Sequence, residues 1–72
     1  MEELRKAFAE NLIRYRKERN LSQREVALKI SVTQQCVSQW EAGQIEPTLT
    51  FLWRLADLFE VSVDELIGRT DY

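Results

Sequence analysis

Histidine is absent from this 72-residue chain, and cysteine and proline occur once each. Without histidine, and with a single thiol, a zinc site lacks ligands and histidine-dependent catalysis lacks its base. Cys36 has no partner for an intramolecular disulfide, so packing alone must hold the domain together, and a lone thiol fits a reducing cytoplasmic setting. Glycine is scarce too, with only two residues, and an apolar share of 44% is ordinary for a folded chain, so disorder is excluded. No apolar run approaches the ~20 residues that span a bilayer. The opening Met1-Glu2-Glu3 is acidic and amphipathic, unlike a signal peptide. The expectation is a single cytoplasmic domain over residues 1–72, with no membrane contact, no metal, no cofactor and no enzymatic activity.

Charge is also short, at a net −2, but it is unevenly placed. Residues 1–29 hold eight basic and five acidic side chains, whereas residues 30–72 hold two basic and seven acidic. Arg14, Arg16, Lys17, Arg19, Arg24 and Lys29 are therefore candidates for a local basic rim facing phosphates. A solvated helix face with no partner fits the same charges. Charge permits a nucleic-acid partner without requiring one.

What the chain has in quantity is helix punctuation. Leu4, Phe8, Leu12 and Tyr15 recur at helical spacing, predicting a first helix from about Glu3 to Arg19, closed by Asn20 in a left-handed conformation. Ser22 caps a second helix, Glu25 completes a capping box, and Val26, Ala27 and Ile30 form its inner face. Only Ile30-Ser31-Val32 separates it from a third helix, capped by Thr33 and ended near Ala42 with Gly43 just beyond. Thr48 caps a fourth helix reaching about Phe59. Ser62 and Glu65 form a second capping box on a short fifth helix that ends at Gly68.

The third helix carries the most specific signal. Val37 and Trp40, three residues apart, turn inward together, leaving Gln34, Gln35, Ser38 and Gln39 on the other side. A glutamine amide presents a donor beside an acceptor, which matches N7 and N6 of adenine in the major groove. In an arbitrary helix such a face is merely solubilising; directly behind the cap of the second of two steeply joined helices, it is placed to read bases. Cys36, beside these residues, reads as filling at the edge of the core, since nothing marks its thiol as activated.

In order and spacing the chain resembles the Cro/C1-type helix-turn-helix regulators, which include phage repressors, from about Phe8 to Gly68. The resemblance rests on Arg16, Leu21-Ser22-Gln23, Ala27, Val32, the Val37–Trp40 pair, Glu41, Gly43, Pro47 and the Val61-Ser62-Val63-Asp64-Glu65-Leu66 ending. It implies an all-α, five-helix, lambda-repressor-like fold with the motif at about 22–43. It also implies a DNA-binding transcriptional regulator, with repression favoured, acting as a homodimer on a palindromic operator of double-stranded DNA. Carried over residue by residue, Gln34, Gln35, Gln39 and Ser38 contact bases in the major groove. Gln23, Arg16, Thr33 and Arg24 contact phosphate, with Gln23 also bracing Gln34, and Arg16 and Glu41 form an ion bridge between helices.

Several positions depart from that pattern. Ser31 stands where the family often has glycine in the turn, and Glu60 where glycine commonly ends the fourth helix. Gln44-Ile45-Glu46 lacks the basic residue frequently found there, and Glu46 is expected to repel DNA. The fourth helix, at ~100° per residue, places Leu49, Leu52, Leu55, Ala56 and Phe59 on a core-facing arc, with Phe51 and Leu58 on one flank and Trp53 on the other. That surplus apolar surface suggests a dimer interface from Phe51 and Leu58 with Leu66, Ile67 or Tyr72, within possible dimerisation helices at 48–67. The competing reading is a protein-interaction module on the same fold, antitoxin-like, with DNA binding secondary.

Overall fold

Four helix starts are fixed by a Ser or Thr hydroxyl accepting from a backbone N–H three residues on. In the computed structural model, which describes residues 2–69, the helices are α1 (Glu2–Glu18), α2 (Gln23–Ile30), α3 (Gln34–Glu41), α4 (Leu49–Phe59) and α5 (Val63–Ile67). Ser22 and Ser62 complete both capping boxes: each accepts from the N–H of the glutamate three residues later and donates its own N–H back to that carboxylate, at 2.8–3.0 Å. The fold is all-α, with no strand among the described residues. Boundaries fall within a residue or two of the sequence expectation, the usual scatter at frayed ends.

The ends are closed by left-handed residues. Asn20 (φ 55°) follows α1, and the Leu21 N–H reaches back to Arg16 O at 3.1 Å. Gly43 (φ 72°) follows α3 in the same way, with the Gln44 N–H on Gln39 O at 3.0 Å. Ser31 and Glu60 take the left-handed conformation despite their side chains, at φ 65° and 58°. The dihedral is thus kept where glycine is missing, and the backbone carries the strain.

Three side chains reach helix-end carbonyls across long sequence separations. Asn11 donates to Glu65 O and Leu66 O, Arg19 to Phe59 O at 2.8 Å, and Arg54 to Ile30 O at 3.0 Å. Each ties the C-terminal end of one helix to the side of another.

The core gathers Phe8, Leu12, Val26, Ala27, Ile30, Val37, Trp40, Leu55, Ala56, Phe59 and Leu66. Trp40 is its hub, edge-on to Phe8 (ring centroids 6.0 Å) and tilted against Phe51 (5.8 Å). Tyr15 stacks on Phe59 at 5.9 Å, joining α1 to α4. Gly68 closes α5 against α1, where a Cβ would come within 3.2 Å of the Ala7 Cβ.

The sequence-based placement of the fourth helix needs correction. Leu49, expected on the core arc, is 77% exposed, while Phe51 is half-buried against Trp40 and beneath the Arg54 guanidinium. By helical angle both lie roughly 80° from the centre of the buried arc, on opposite sides. Trp40 of α3 covers the Phe51 flank, whereas Leu49 and Trp53 stay open. Leu58 is half-buried against the core, and Leu66 has no exposed surface, so it serves the core of its own chain rather than a dimer contact. Ile67 is half-buried in a groove with Leu4 and Ala7. Tyr72 lies outside the described residues.

Candidate nucleic-acid interface

α3 is held by its inner face and its two ends. Val37 and Trp40 are essentially inaccessible, which fixes the helix rotation, and Thr33 Oγ1 accepts from the Cys36 N–H at 3.1 Å, which fixes its first turn. The geometry presents Gln34, Gln35 and Ser38 to solvent, with Gln39 half-buried beside them. Positions 34 and 38, and 35 and 39, are one turn apart, so the four side chains form one polar strip. Cys36 is half-buried, and desolvation pushes its thiol pKa up, away from reactivity.

The only charge on α3 is turned inward. Glu41 Oε2 accepts from Arg16 Nε at 2.6 Å, and Oε1 accepts from Arg16 Nη2 and Gln23 Nε2, both at 3.0 Å. Arg16 Nη1 donates to Leu21 O at 2.9 Å. The two charged side chains are 14% and 7% exposed, and the hydrogen bond to Glu41 raises the Arg16 pKa further. One carboxylate thereby joins α1, the start of α2 and the end of α3. The strip facing outward donates and accepts hydrogen bonds but carries no charge.

Two of the residues expected at phosphate also bond inside the chain. Arg16 is a strut between helices, with three of its N–H groups engaged there. Gln23 directs its amide nitrogen to Glu41 instead of to Gln34. Of the six basic residues expected at the rim, five stay exposed and Arg16 alone is enclosed. Arg14 lies over the Tyr15 ring (4.7 Å) and Arg19 caps α4. Thr33 is exposed at the start of α3 with its hydroxyl already accepting the capping bond. Glu46, expected to repel DNA, faces Arg5 at 3.5 Å.

Sequence reasoning missed the capping roles of Asn11, Arg19 and Arg54, because each acts across 24 or more residues and leaves no local signature. It also missed the open Leu49–Trp53 edge of α4, for which two apolar residues one turn apart were the available signal.

The helix-turn-helix family model HTH_3 matches residues 12–66, which takes in the C-terminal part of α1, all of α2 to α4 and most of α5. The chain belongs to that family. It is a Cro/C1-type helix-turn-helix protein, a transcriptional regulator with a DNA-binding domain. It is 38% identical over 69 residues to the uncharacterized HTH-type transcriptional regulator y4dJ of Sinorhizobium fredii, covering 96% of this chain and 90% of that one. It is 37% identical over 60 residues to the cryptic phage CTXphi transcriptional repressor RstR of Vibrio cholerae, covering 83% of this chain and 54% of RstR. The chain thus spans nearly all of one relative and about half of the other. Its helices also superpose on part of the hydroxypropylphosphonic acid epoxidase of S. wedmorenis, with a TM-score of 0.86 and 29% identity over 93% of this chain but 36% of the enzyme. No described helix is long and apolar enough to cross a membrane.

Proposed function

We propose that this helix-turn-helix protein binds a specific DNA sequence as a two-fold dimer and represses transcription by occupying a promoter. The observation that carries the reading is the neutral polar strip of Gln34, Gln35, Ser38 and Gln39, on a helix fixed by buried Val37 and Trp40 and by the Arg16–Glu41–Gln23 cluster. Such a surface gains little from counterion release and must earn its affinity through base-edge hydrogen bonds, which favours sequence-specific over indiscriminate binding. Gln34 and Gln35 favour A·T pairs in each half-site. Arg24, Gln23 and Thr33, at the N-terminal ends of α2 and α3, position the phosphates. Arg16 acts through Glu41.

The two α3 helices of a dimer enter successive major grooves ~34 Å apart, on an approximately palindromic operator with half-sites ~10 bp apart. Occlusion needs no catalysis and no cofactor, and its site of action is the cytoplasm. The likeness to RstR, itself a transcriptional repressor, favours repression over activation. Selection from a random duplex pool tests this, run in parallel with wild type and a Gln34→Ala/Gln35→Ala variant. Enrichment of an A·T-containing palindrome by wild type, changed or lost in the variant, is the expected result. No enrichment even at low salt refutes sequence reading and favours the protein-interaction alternative.

A further inference from the structure

The segment that carries the base-reading candidates has no positive charge of its own. From Ser31 to Trp53 there is no lysine or arginine, and the acids are Glu41 and Glu46 alone. Both are met by an arginine of α1. Arg16 holds Glu41 at the end of α3, and Arg5, three turns earlier on the same helix, places Nη1 3.5 Å from Glu46 Oε2 in the loop beyond. Between these two contacts α1 and the end of α3 border one groove, lined by Lys6, Ile13, Ala42 and Gly43 among others.

We propose that Arg5 is an affinity determinant for DNA: from α1 it supplies the counter-charge to Glu46, so that the loop after α3 meets phosphate as a neutral surface. The proposal rests on the DNA-binding reading above and adds the start of α1 to the parts of the chain that set affinity. The loop lies close to the reading surface. The Gln44 N–H is bonded to Gln39 O at 3.0 Å, so the loop begins one turn from a reader, and Glu46 is two residues on. Two residues of chain span at most ~7 Å. A helix in a major groove about 12 Å wide has phosphates on both sides. Those beside the end of α3 fall within the ~10 Å screening length of Glu46 at 0.1 M salt.

A carboxylate at that place repels DNA unless a cation accompanies it. Lys6, the neighbouring cation, has Glu2 and Glu10 four residues away on either side, so its charge is balanced within α1. Arg16 is committed to Glu41 and Leu21 O. Arg5 is the cation whose head reaches Glu46. Both side chains of the pair are partly covered, at 32% and 39% exposed. Surface pairs of this kind contribute little to folding, so the pair is to be read in binding rather than in melting. One unbalanced charge about 7 Å from a phosphate, in surroundings between bulk water and a protein surface, changes affinity roughly three- to sevenfold.

The test is equilibrium binding to the selected duplex and to a scrambled one, from ~50 to ~500 mM salt, for wild type, Arg5→Gln, Arg5→Lys, Glu46→Gln and the Arg5→Gln/Glu46→Gln double variant. At the lowest salt Arg5→Gln should bind both duplexes roughly three- to sevenfold more weakly, and Glu46→Gln more tightly by a similar factor. The double variant should return to within about twofold of wild type, and Arg5→Lys should match wild type, because a charge is all the pair requires. These differences should fall below about twofold at the highest salt, which a merely structural role of Arg5 would not produce. Melting should be the same for all five proteins. A double variant as weak as Arg5→Gln overturns the proposal, since Arg5 then acts without regard to Glu46. So does a Glu46→Gln variant indistinguishable from wild type, or an Arg5→Gln loss that persists at high salt. A chain that prefers its selected duplex yet is indifferent to Arg5→Gln overturns the proposal and leaves the DNA reading standing. The expected order on both duplexes, in a chain that prefers neither, upholds the charge balance and refutes sequence reading instead. A wild type that binds no duplex at any salt refutes both.

Discussion

Replacing Arg16 by methionine keeps the length and apolar stem of the side chain but removes the guanidinium that holds Glu41. The Glu41 side chain is 7% exposed and accepts three hydrogen bonds, two of them from Arg16. The variant leaves a covered carboxylate with Gln23 Nε2 as its remaining donor and also strips Leu21 O of its partner. Breaking a buried pair from one side costs ~3–5 kcal/mol, and the residual exposure of both groups places this case at the low end, about 3 kcal/mol. A domain of this size is stable by only about 4–10 kcal/mol, so the loss is a large fraction. In urea, with a slope near ~1 kcal/mol/M for a small domain, the midpoint should fall by about 3 M. Trp40 fluorescence reports the transition, because Trp40 is buried and directly precedes Glu41. Adding Glu41→Leu should restore part of the stability, giving a coupling of about 2–3 kcal/mol in the double-mutant cycle. A single loss under ~1 kcal/mol with coupling near zero, the behaviour of exposed ion pairs, would refute the strut.

Ser31→Gly should stabilise the domain by about 0.5–1 kcal/mol, and Glu60→Gly by a similar amount, because both side chains sit at positive φ; a lower melting temperature in either variant contradicts the strain argument. Ala27→Val should destabilise by about 1–3 kcal/mol in urea unfolding, since Ala27 is buried where α2 packs into the core; a neutral result would mean spare room at the helix crossing. The hydrogen bonds from Ser22 hold the Glu25 carboxyl below its ordinary value of 4.5, so its contribution is fully present above that value and is lost as pH falls through the depressed one. Thermal melts between pH 6 and pH 3 should therefore fall less steeply for Glu25→Gln than for wild type, and parallel profiles would contradict the assignment.

Helix ends were legible because their signals are local. Ser22 with Glu25, Thr33, Thr48 and Ser62 with Glu65 each act within one turn, and all four caps form as their spacing implies. The inward pair Val37–Trp40 was equally plain, since it depends only on helical period. Roles set by distant neighbours were not legible. Arg14 and Arg19 read as rim charges, but one covers the Tyr15 ring and the other closes α4, because the packing of α1 on α4 and α5 decides where their heads lie. Leu49 shares its helical angle with core residues, and only the placement of Trp40 over the opposite flank reveals that it stays open. The family resemblance supplied the Arg16–Glu41 bridge, but not the consequence that so enclosed an arginine has few free donors left for phosphate.

The central claim is that the α3 amides read individual base pairs, and equilibrium binding of Gln34→Ala tests it most directly. The measurement compares the selected duplex with its single-base-pair variants at fixed salt. The account predicts that the variant loses about 1–3 kcal/mol of discrimination at one position per half-site and keeps it elsewhere. An equal loss at every position, or none anywhere, would contradict it.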